Sequence, residues 1–248
     1  MAHASQPDPR TVAVSASLSR PRLAPYLAVS GNNLRDALRL YQWNIDISGA
    51  VYESLHVFEV ILRNAMDPQL RTWNARQVNA DTGAGHDLDW IMDPAPLLQR
   101  LVGRDIQRAR TYAARALGRG DRQPSHDDVL TQLSFGTWRF LLPDSDPGRK
   151  LLWEQALQDA FPHLDTKPAV LVKEVSGIYT IRNRVAHLEP LLRPNIVWHE
   201  FKAMRSVLRA IDPVLEEWFV SRQRITPLLK QRPRHIDPNP PQGPATQP

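Results

Sequence analysis

The chain has 248 residues, enough for one large domain or two small ones with a buried core. Hydrophobic residues make up 42% and charged residues 23%, as in soluble globular proteins, and the absence of cysteine excludes disulfides, thiolate chemistry and cysteine-based zinc sites. Lysine and arginine exceed aspartate and glutamate by 31 to 26, so the position of this small excess matters more than its size.

Apolar residues recur at helical spacing along most of the chain, whereas alternating runs of valine, isoleucine and threonine are rare. This pattern predicts an all-α fold. We expect the folded domain over 19–225, between unstructured tails at 1–18 and at the proline-rich 226–248. In chain order, helices are predicted over 33–43, 48–66, 93–117, 127–134, 151–161, 168–188 and 195–219, the last interrupted at Asp212-Pro213.

Several of these boundaries depend on single residues. The stop at 66 rests on Pro68, since the residue before a proline avoids the α region. Glycines and aspartates around 83–89 predict a long loop, and Ser125 is suited to cap the helix that follows it. The segment 133–142 is too apolar for a surface loop and should lie in the core.

The predicted helix over 48–66 carries polar residues along one side. These polar residues span roughly 140° of the helix circumference. They are Glu53, His56, Glu59, Arg63, Asn64 and Asp67. This side is either a solvated face stabilised by a Glu59–Arg63 pair one turn apart, or a polar face turned toward a functional site.

The predicted helix over 93–117 concentrates positive charge. Between Arg100 and Arg122 the chain has seven arginines and two aspartates. Five of the arginines share an arc of roughly 100°: Arg100, Arg104, Arg108, Arg115 and Arg119. Guanidinium groups hold phosphate oxygens in a fixed geometry, so the arc predicts a surface that can follow the phosphate backbone of a nucleic acid. The alternative is an exposed helix that charge keeps soluble, and no ladder of aromatic residues indicates base stacking.

In the predicted helix over 168–188, Arg182 lies among the apolar residues rather than opposite them. A guanidinium is expensive to bury alone, so it requires a carboxylate, a phosphate or an opening to water. His187 points roughly 140° away from Arg182 in an ideal helix. The two side chains therefore meet only if the helix distorts near its end or if a second copy of the chain supplies the partner.

The sequence around these two residues, IRNRVAHLEPL at 181–191, resembles the signature of the Abi-like (abortive infection) proteins, a branch of the HEPN superfamily. The hallmark of that superfamily is an arginine and a histidine separated by four to six residues, commonly with asparagine after the arginine. Segments 40–44, 59–65 and 133–142 resemble the same family in the same order. Together the matching segments cover most of the folded chain.

This resemblance implies a helical bundle that pairs about a two-fold axis and acts as a metal-independent endoribonuclease without a cofactor, often as a toxin in phage defence. Arg182 and His187 would be catalytic and Asn183 supporting. Glu59, Arg63 and Asn64 match a family segment, and their supporting role is inferred from the polar side of their helix. Arg184 is assigned to RNA binding together with Arg100, Arg104, Arg108 and Arg115.

The implied partners are an RNA substrate, a second copy of the chain and an antitoxin, either protein or RNA. A membrane partner is not expected, because no apolar run is long enough to cross a bilayer and the first residues lack a signal-peptide pattern. We therefore expect a cytoplasmic location.

The chemistry of these residues suits RNA cleavage. RNA carries its own nucleophile, the 2′-OH beside each phosphate. A histidine can move protons near neutral pH, and an arginine can stabilise the charge that develops on the phosphate.

Two positions depart from the family pattern: Leu188 stands where many members have a second histidine, and Thr137 where phenylalanine is usual. Two further hypotheses remain. The chain is a non-catalytic nucleic-acid binder in which Arg182 pairs with Glu59, or it is a protein-interaction module that keeps the bundle only for dimerisation.

Overall fold

The computed structural model describes residues 8–118 and 122–233, and within these ranges the regular secondary structure is helical, with no β-strand. The predicted all-α class is confirmed. The elements are α1 (Pro9–Leu18), α2 (Arg20–Val29), α3 (Leu34–Ala75), α4 (Pro96–Leu117), α5 (His126–Leu130), α6 (Phe135–Leu141), α7 (Pro147–Gln155), a 3₁₀ helix (Leu157–Ala160), α8 (Pro168–Ala186), α9 (Pro194–Ile211), α10 (Pro213–Arg222) and α11 (Ile225–Lys230).

The central helix, α3, is continuous where the sequence predicted two helices separated at 44–47 and ending at 66. Buried side chains recur along its whole length, so a stop before Pro68 would remove Leu70 and Trp73 from the core. Pro68 loses one backbone hydrogen bond of the helix, and burial on both sides of it outweighs this local preference. The predicted gap is closed for the same reason, because Trp43 and Ile47 are both buried.

Both predicted tails contain helix. Asp8 caps α1 by accepting a hydrogen bond from the backbone N–H of Thr11 at 3.0 Å. At the other end, the indole N–H of Trp43 donates to the carbonyl of Leu228 in α11 at 2.7 Å. The predicted limits of the folded domain are therefore wrong at both ends. The remainder of the predicted tails, 1–7 and 234–248, lies outside the described residues.

Other helix starts follow the predicted caps. Ser125 forms a capping box with Asp128 at the start of α5, and Asp212 accepts from the N–H of Val214 at the start of α10. The predicted helix over 151–161 begins earlier, at Pro147, and divides at Ala156 into α7 and the 3₁₀ helix. The α5 and α8 helices are also shorter than predicted.

The loop 76–95 joins α3 to α4, as expected from the glycines within it. Its end is held by the buried side chain of Asn74, which donates to the carbonyls of Asp87 and Asp93 at 2.6 and 2.9 Å. The same amide accepts a hydrogen bond from the N–H of Ala95 at 2.9 Å. Because these bonds fix the loop, α4 begins directly after Ala95 rather than at residue 93.

The apolar segment 133–142 forms α6 and lies in the core, as predicted. The ring of Phe135 packs edge-on against Phe58 of α3, with ring centroids 5.8 Å apart. Trp138 packs in the same way against Trp90 at 6.3 Å. None of the helices in the described ranges is both long and apolar enough to cross a bilayer.

A group of polar side chains surrounds Asp67 of α3, and we call it the Asp67 cluster: Asp67, Trp90 and His126, which are buried, and Arg71 and Asp89, which are partly exposed. Asp67 accepts from the indole N–H of Trp90 at 2.8 Å and lies 3.0 Å from Nε2 of His126. Arg71 lies 3.9 Å from Asp67 and donates to Asp89 at 2.5 Å. The cluster ties the loop 76–95 and α5 to the central helix, while Nδ1 of His126 is buried without a hydrogen bond.

Candidate active site

The helix α8 stays regular up to Ala186, and the N–H of His187 still donates to the carbonyl of Asn183 at 2.9 Å. The distortion that would let Arg182 meet His187 within one chain is therefore absent from this described segment. The two side chains leave the helix roughly 140° apart, and no hydrogen bond joins them. A second copy of the chain as the source of the missing partner stays a prediction.

The turn after α8 has a complete Schellman geometry, and we call it the His187 turn. The N–H of Leu188 donates to the carbonyl of Val185 at 3.0 Å, and the N–H of Glu189 donates to the carbonyl of Arg184 at 2.8 Å. Leu188 has a φ of 57°, in the left-handed region that glycine normally occupies at this position. Its side chain is 68% exposed, so little burial offsets the backbone strain.

Two side chains from distant parts of the sequence hold this turn. Arg22 of α2 donates to the carbonyl of Leu188 at 2.6 Å. Asn44 of α3, which is buried, accepts a hydrogen bond from the N–H of Leu191 at 2.6 Å. The strained residue and the backbone three residues after it are thus anchored, next to the exposed His187.

Arg184, predicted to bind RNA, also holds the turn. Its guanidinium donates to the carbonyl of Pro190 at 2.7 Å and lies 3.3 Å from the carboxylate of Glu189. The side chain is 30% exposed. The structure therefore gives Arg184 a role in shaping the His187 turn, and its contact with RNA stays a prediction.

The structure brings together residues that were predicted on two separate helices. Glu59 of α3 is half-buried where α3 packs against α8, and burial raises its pKa. The positive charges of Arg182, Arg63 and His56 lower this pKa without cancelling the effect of burial. The backbone N–H of Phe135, at the start of α6, acts in the same direction as those charges. Glu59, Arg63 and Arg182 therefore form one electrostatic group.

These charges do not form ion pairs. Arg182 donates to the side chain of Asn183 at 3.3 Å, and Arg63 donates to the side chain of Asn64 at 3.3 Å. Within the described ranges, neither arginine has a carboxylate within 4 Å. The predicted Glu59–Arg63 pair is therefore not formed, nor is the Arg182–Glu59 pair of the non-catalytic hypothesis. The half-buried guanidinium of Arg182 keeps its charge unneutralised by direct contact.

The predicted site residues differ in their exposure. Arg182, Asn183, Glu59 and Arg63 are half-buried, whereas Asn64 and His187 are exposed. Arg182 is thus a half-buried permanent cation, and His187 is an exposed imidazole that points away from it at the end of the same helix. The guanidinium can bind an anion, and an imidazole can exchange protons with solvent or with a ligand.

The arginines of α4 divide into paired and unpaired side chains. Arg100 makes two hydrogen bonds of 3.0 Å to Asp146, so its guanidinium is already occupied. Arg108 lies 3.7 Å from Asp105. Arg104 and Arg115 are exposed and have no ion pair in the described part of the chain. Arg119, the fifth member of the predicted arc, lies outside the described residues.

Sequence reasoning missed Arg22 and Asn44, which reach the His187 turn from 166 and 147 residues away. Asn44 lies within the segment 40–44 that carries the family resemblance, and this was the only signal that pointed to it. Nothing in the local pattern around Arg22 indicated a role.

Comparisons of the chain with protein-family models, with curated proteins and with solved structures found no match. In the described ranges, no group of three or more histidine, aspartate or glutamate side chains is arranged to hold a metal ion.

Proposed function

We propose that this chain is an endoribonuclease of the HEPN type, related to the Abi-like proteins, which acts as a homodimer and inhibits growth or limits phage infection. The observation that supports it best is the half-buried guanidinium of Arg182. Among the described residues, no carboxylate lies within ion-pair distance of this guanidinium. Arg182 lies on the same helix that ends at His187. A cation left unneutralised in this way favours an anionic ligand such as a phosphodiester.

The proposed reaction needs two proton transfers and one cation. An imidazole of His187 removes the proton from the 2′-OH, whose oxygen attacks the adjacent phosphorus and forms the new P–O bond. The bond from phosphorus to the 5′ oxygen breaks, and that oxygen takes a proton from the second imidazole of the dimer or from water. The products are a 2′,3′-cyclic phosphate and a free 5′-OH, and Arg182 stabilises the charge on the phosphate oxygens.

Glu59, Arg63, Asn64 and Asn183 support this arrangement in the proposal. Glu59 attracts Arg182 through the space between α3 and α8 but does not bind its donors, so these remain available for phosphate. Asn183 holds one side of the same guanidinium, at 3.3 Å. Arg63 adds positive charge to the group.

The proposal includes a dimer because of the geometry of α8. Because Arg182 and His187 diverge within one chain, a symmetric pair is the arrangement that brings an arginine from one copy to a histidine from the other. An antitoxin, protein or RNA, would restrain the activity in a cytoplasmic setting.

A second candidate function is non-catalytic binding of nucleic acid. The unpaired Arg104 and Arg115 on α4 favour it, and so does Leu188 at the position where many family members have a second histidine. This candidate predicts salt-sensitive binding of RNA without any cleaved product.

The nuclease is tested with purified protein and total cellular RNA in excess EDTA. We expect cyclic-phosphate ends with the unmodified chain, and a loss of at least about 100-fold in cleavage with Arg182→Ala or His187→Ala. The exposed His199 and Arg193 offer matched control substitutions to alanine that should leave cleavage unchanged. Unreduced cleavage by both site variants would overturn the proposal, as would loss of all cleavage in EDTA.

The composite site is tested by mixing the two inactive variants. If the arginine and the histidine of one site come from different copies, a mixed dimer of Arg182→Ala and His187→Ala keeps one complete site, and part of the cleavage returns. If both residues of a site come from the same copy, every site in the mixture lacks one of them. Cleavage would then stay absent, and the dimeric site would be wrong.

A further inference from the structure

A groove runs along α4, and we call it the α4 groove. It consists of two adjoining depressions of about 880 and 760 Å³. Both depressions are lined by Met92, Gln107 and Arg110, so they form one continuous channel on the surface. The groove reaches from Arg100 near the start of the helix to Gly118 at its end.

Uncharged residues line the groove along one face of α4. Gln107, Thr111, Ala114 and Gly118 follow one another at steps of three or four residues and so share one face of α4. Arg104 and Arg115 lie to one side of this face, and Arg110 lies to the other, each within the lining. The groove therefore has guanidinium groups on both sides.

Arg110 is the most unusual of these side chains. It is half-buried, and one nitrogen of its guanidinium donates to the carbonyls of Ile91 and Met92, the second at 2.7 Å. Its Nε is buried without a hydrogen-bond partner. In the described part of the chain no carboxylate forms an ion pair with it. Neutral carbonyls thus fix a positive charge in place without neutralising it, and an anion is the ligand that such a group favours.

The basic residues of α4 are all arginines, and the helix has a single acidic residue, Asp105. Asp105 accepts a hydrogen bond from the hydroxyl of Thr137 in α6 at 3.2 Å, so one oxygen of its carboxylate already has a partner. The uncompensated charge in the groove belongs to Arg104, Arg110 and Arg115. Their planar guanidinium groups match phosphate oxygens better than lysine ammonium groups would.

We propose that the α4 groove binds the sugar–phosphate backbone of an RNA strand, as a surface separate from the candidate active site. The choice of RNA over another polyanion rests on the proposed function, whereas the binding of an anionic chain rests on the groove itself.

The position of α6 relates the groove to the candidate site. At the start of this helix the N–H of Phe135 acts on Glu59, and near its end Phe140 lines the groove. The helix has seven residues, a length of roughly 10 Å. The α6 helix therefore connects the surroundings of Glu59 with the groove.

The groove is tested by binding rather than by cleavage. The probe is a fluorescent 2′-O-methyl oligoribonucleotide, which lacks the 2′-OH nucleophile and so stays intact whether or not the chain is a nuclease. The main variant is Arg104→Gln/Arg115→Gln, in which both side chains are exposed and unpaired within the described ranges. The matched control is Arg35→Gln/Arg39→Gln, which removes two exposed arginines from the start of α3.

We expect the Arg104→Gln/Arg115→Gln variant to bind about tenfold more weakly at low salt, with a salt dependence shallower by about 1.4 in the logarithmic slope. Arg110→Gln should weaken binding as well. Thermal unfolding of this variant first checks that the loop at Ile91 is intact. The control variant should bind like the unmodified chain. Equal affinity and equal slope for the groove variant and the control would overturn the proposal.

A second probe separates RNA from an acidic protein partner. Polyglutamate of matched charge should compete with the oligonucleotide only weakly, because the groove recognises phosphate. If polyglutamate displaces the oligonucleotide at equal charge concentration, the groove binds acidic peptides and the assignment to RNA is wrong. The cleavage assay on natural RNA is separate, so a failure of the nuclease proposal does not change either result.

Discussion

Two carboxylates lie about two turns apart on α3 and have opposite surroundings. Asp67 is 7% exposed and is in contact with Trp90 at 2.8 Å and with His126 at 3.0 Å. Glu59 is half-buried and forms no ion pair in the described part of the chain, although Arg63 and Arg182 are close enough to affect its pKa.

The difference separates a polar group that builds the fold from one that is available to a ligand. The Asp67 cluster joins three segments of the chain through short contacts, and a buried network of this kind restricts the structure to one arrangement. Around Glu59, and within the described ranges, each arginine bonds only to the asparagine next to it, Asn64 or Asn183. Donors held by such long bonds are free to turn toward a phosphate.

The largest expected effect comes from removing Asp67. Asp67→Ala leaves the indole N–H of Trp90 and the ring of His126 without their acceptor in a buried place, and we expect a loss of about 3–5 kcal/mol in the free energy of unfolding. Urea denaturation followed by tryptophan fluorescence measures this loss. The control is Glu59→Ala on the same helix, which should cost much less. Equal losses for the two variants would contradict the comparison.

The contrast also shows which features of the fold can be predicted from the sequence alone. Proline and cap residues predicted the starts of α3, α5, α8, α9 and α10 to within one residue, because caps such as Ser125 and Asp212 act within a few residues of their own position. The stop predicted at Pro68 failed because the burial of Leu70 and Trp73 is a property of the whole molecule. Local preference predicts where a helix can end, and packing decides whether it does.

The same limit applies to the candidate site. Arg182, Asn183 and His187 were found because a motif of neighbouring residues carries them. The residues that hold the His187 turn, Arg22 and Asn44, act across more than a hundred residues and leave no periodic signal. Arg110 was passed over because it lies off the arginine arc, although the structure fixes its guanidinium on the backbone carbonyls of Ile91 and Met92.

An intermediate effect is expected at Leu188, the residue of the His187 turn that carries backbone strain. Leu188→Gly removes the side chain that makes a φ of 57° unfavourable, and we expect a gain of about 1 kcal/mol in the free energy of unfolding. Leu188→Ala keeps the strained backbone and serves as the control, with little change. Thermal unfolding of the two variants measures the difference, and an equal response would show that the turn is not strained.

The smallest effect is expected at Glu59, and it appears only as a dependence on pH. Burial raises the pKa of the folded-state carboxyl above its ordinary value, so the fold favours the protonated form. The stability that this group contributes is fully present below the ordinary glutamate pKa and is lost as pH rises through the folded-state pKa. Glu59→Gln has no such loss, so the unmodified chain should become less stable relative to the variant as pH rises toward neutral. Denaturation of both proteins across that range measures the trend.

The opposite trend would be a gain in stability of the unmodified chain, relative to the variant, with rising pH. It would mean that Arg182 and Arg63 stabilise the carboxylate as an ion pair, and that Glu59 resembles Asp67 after all.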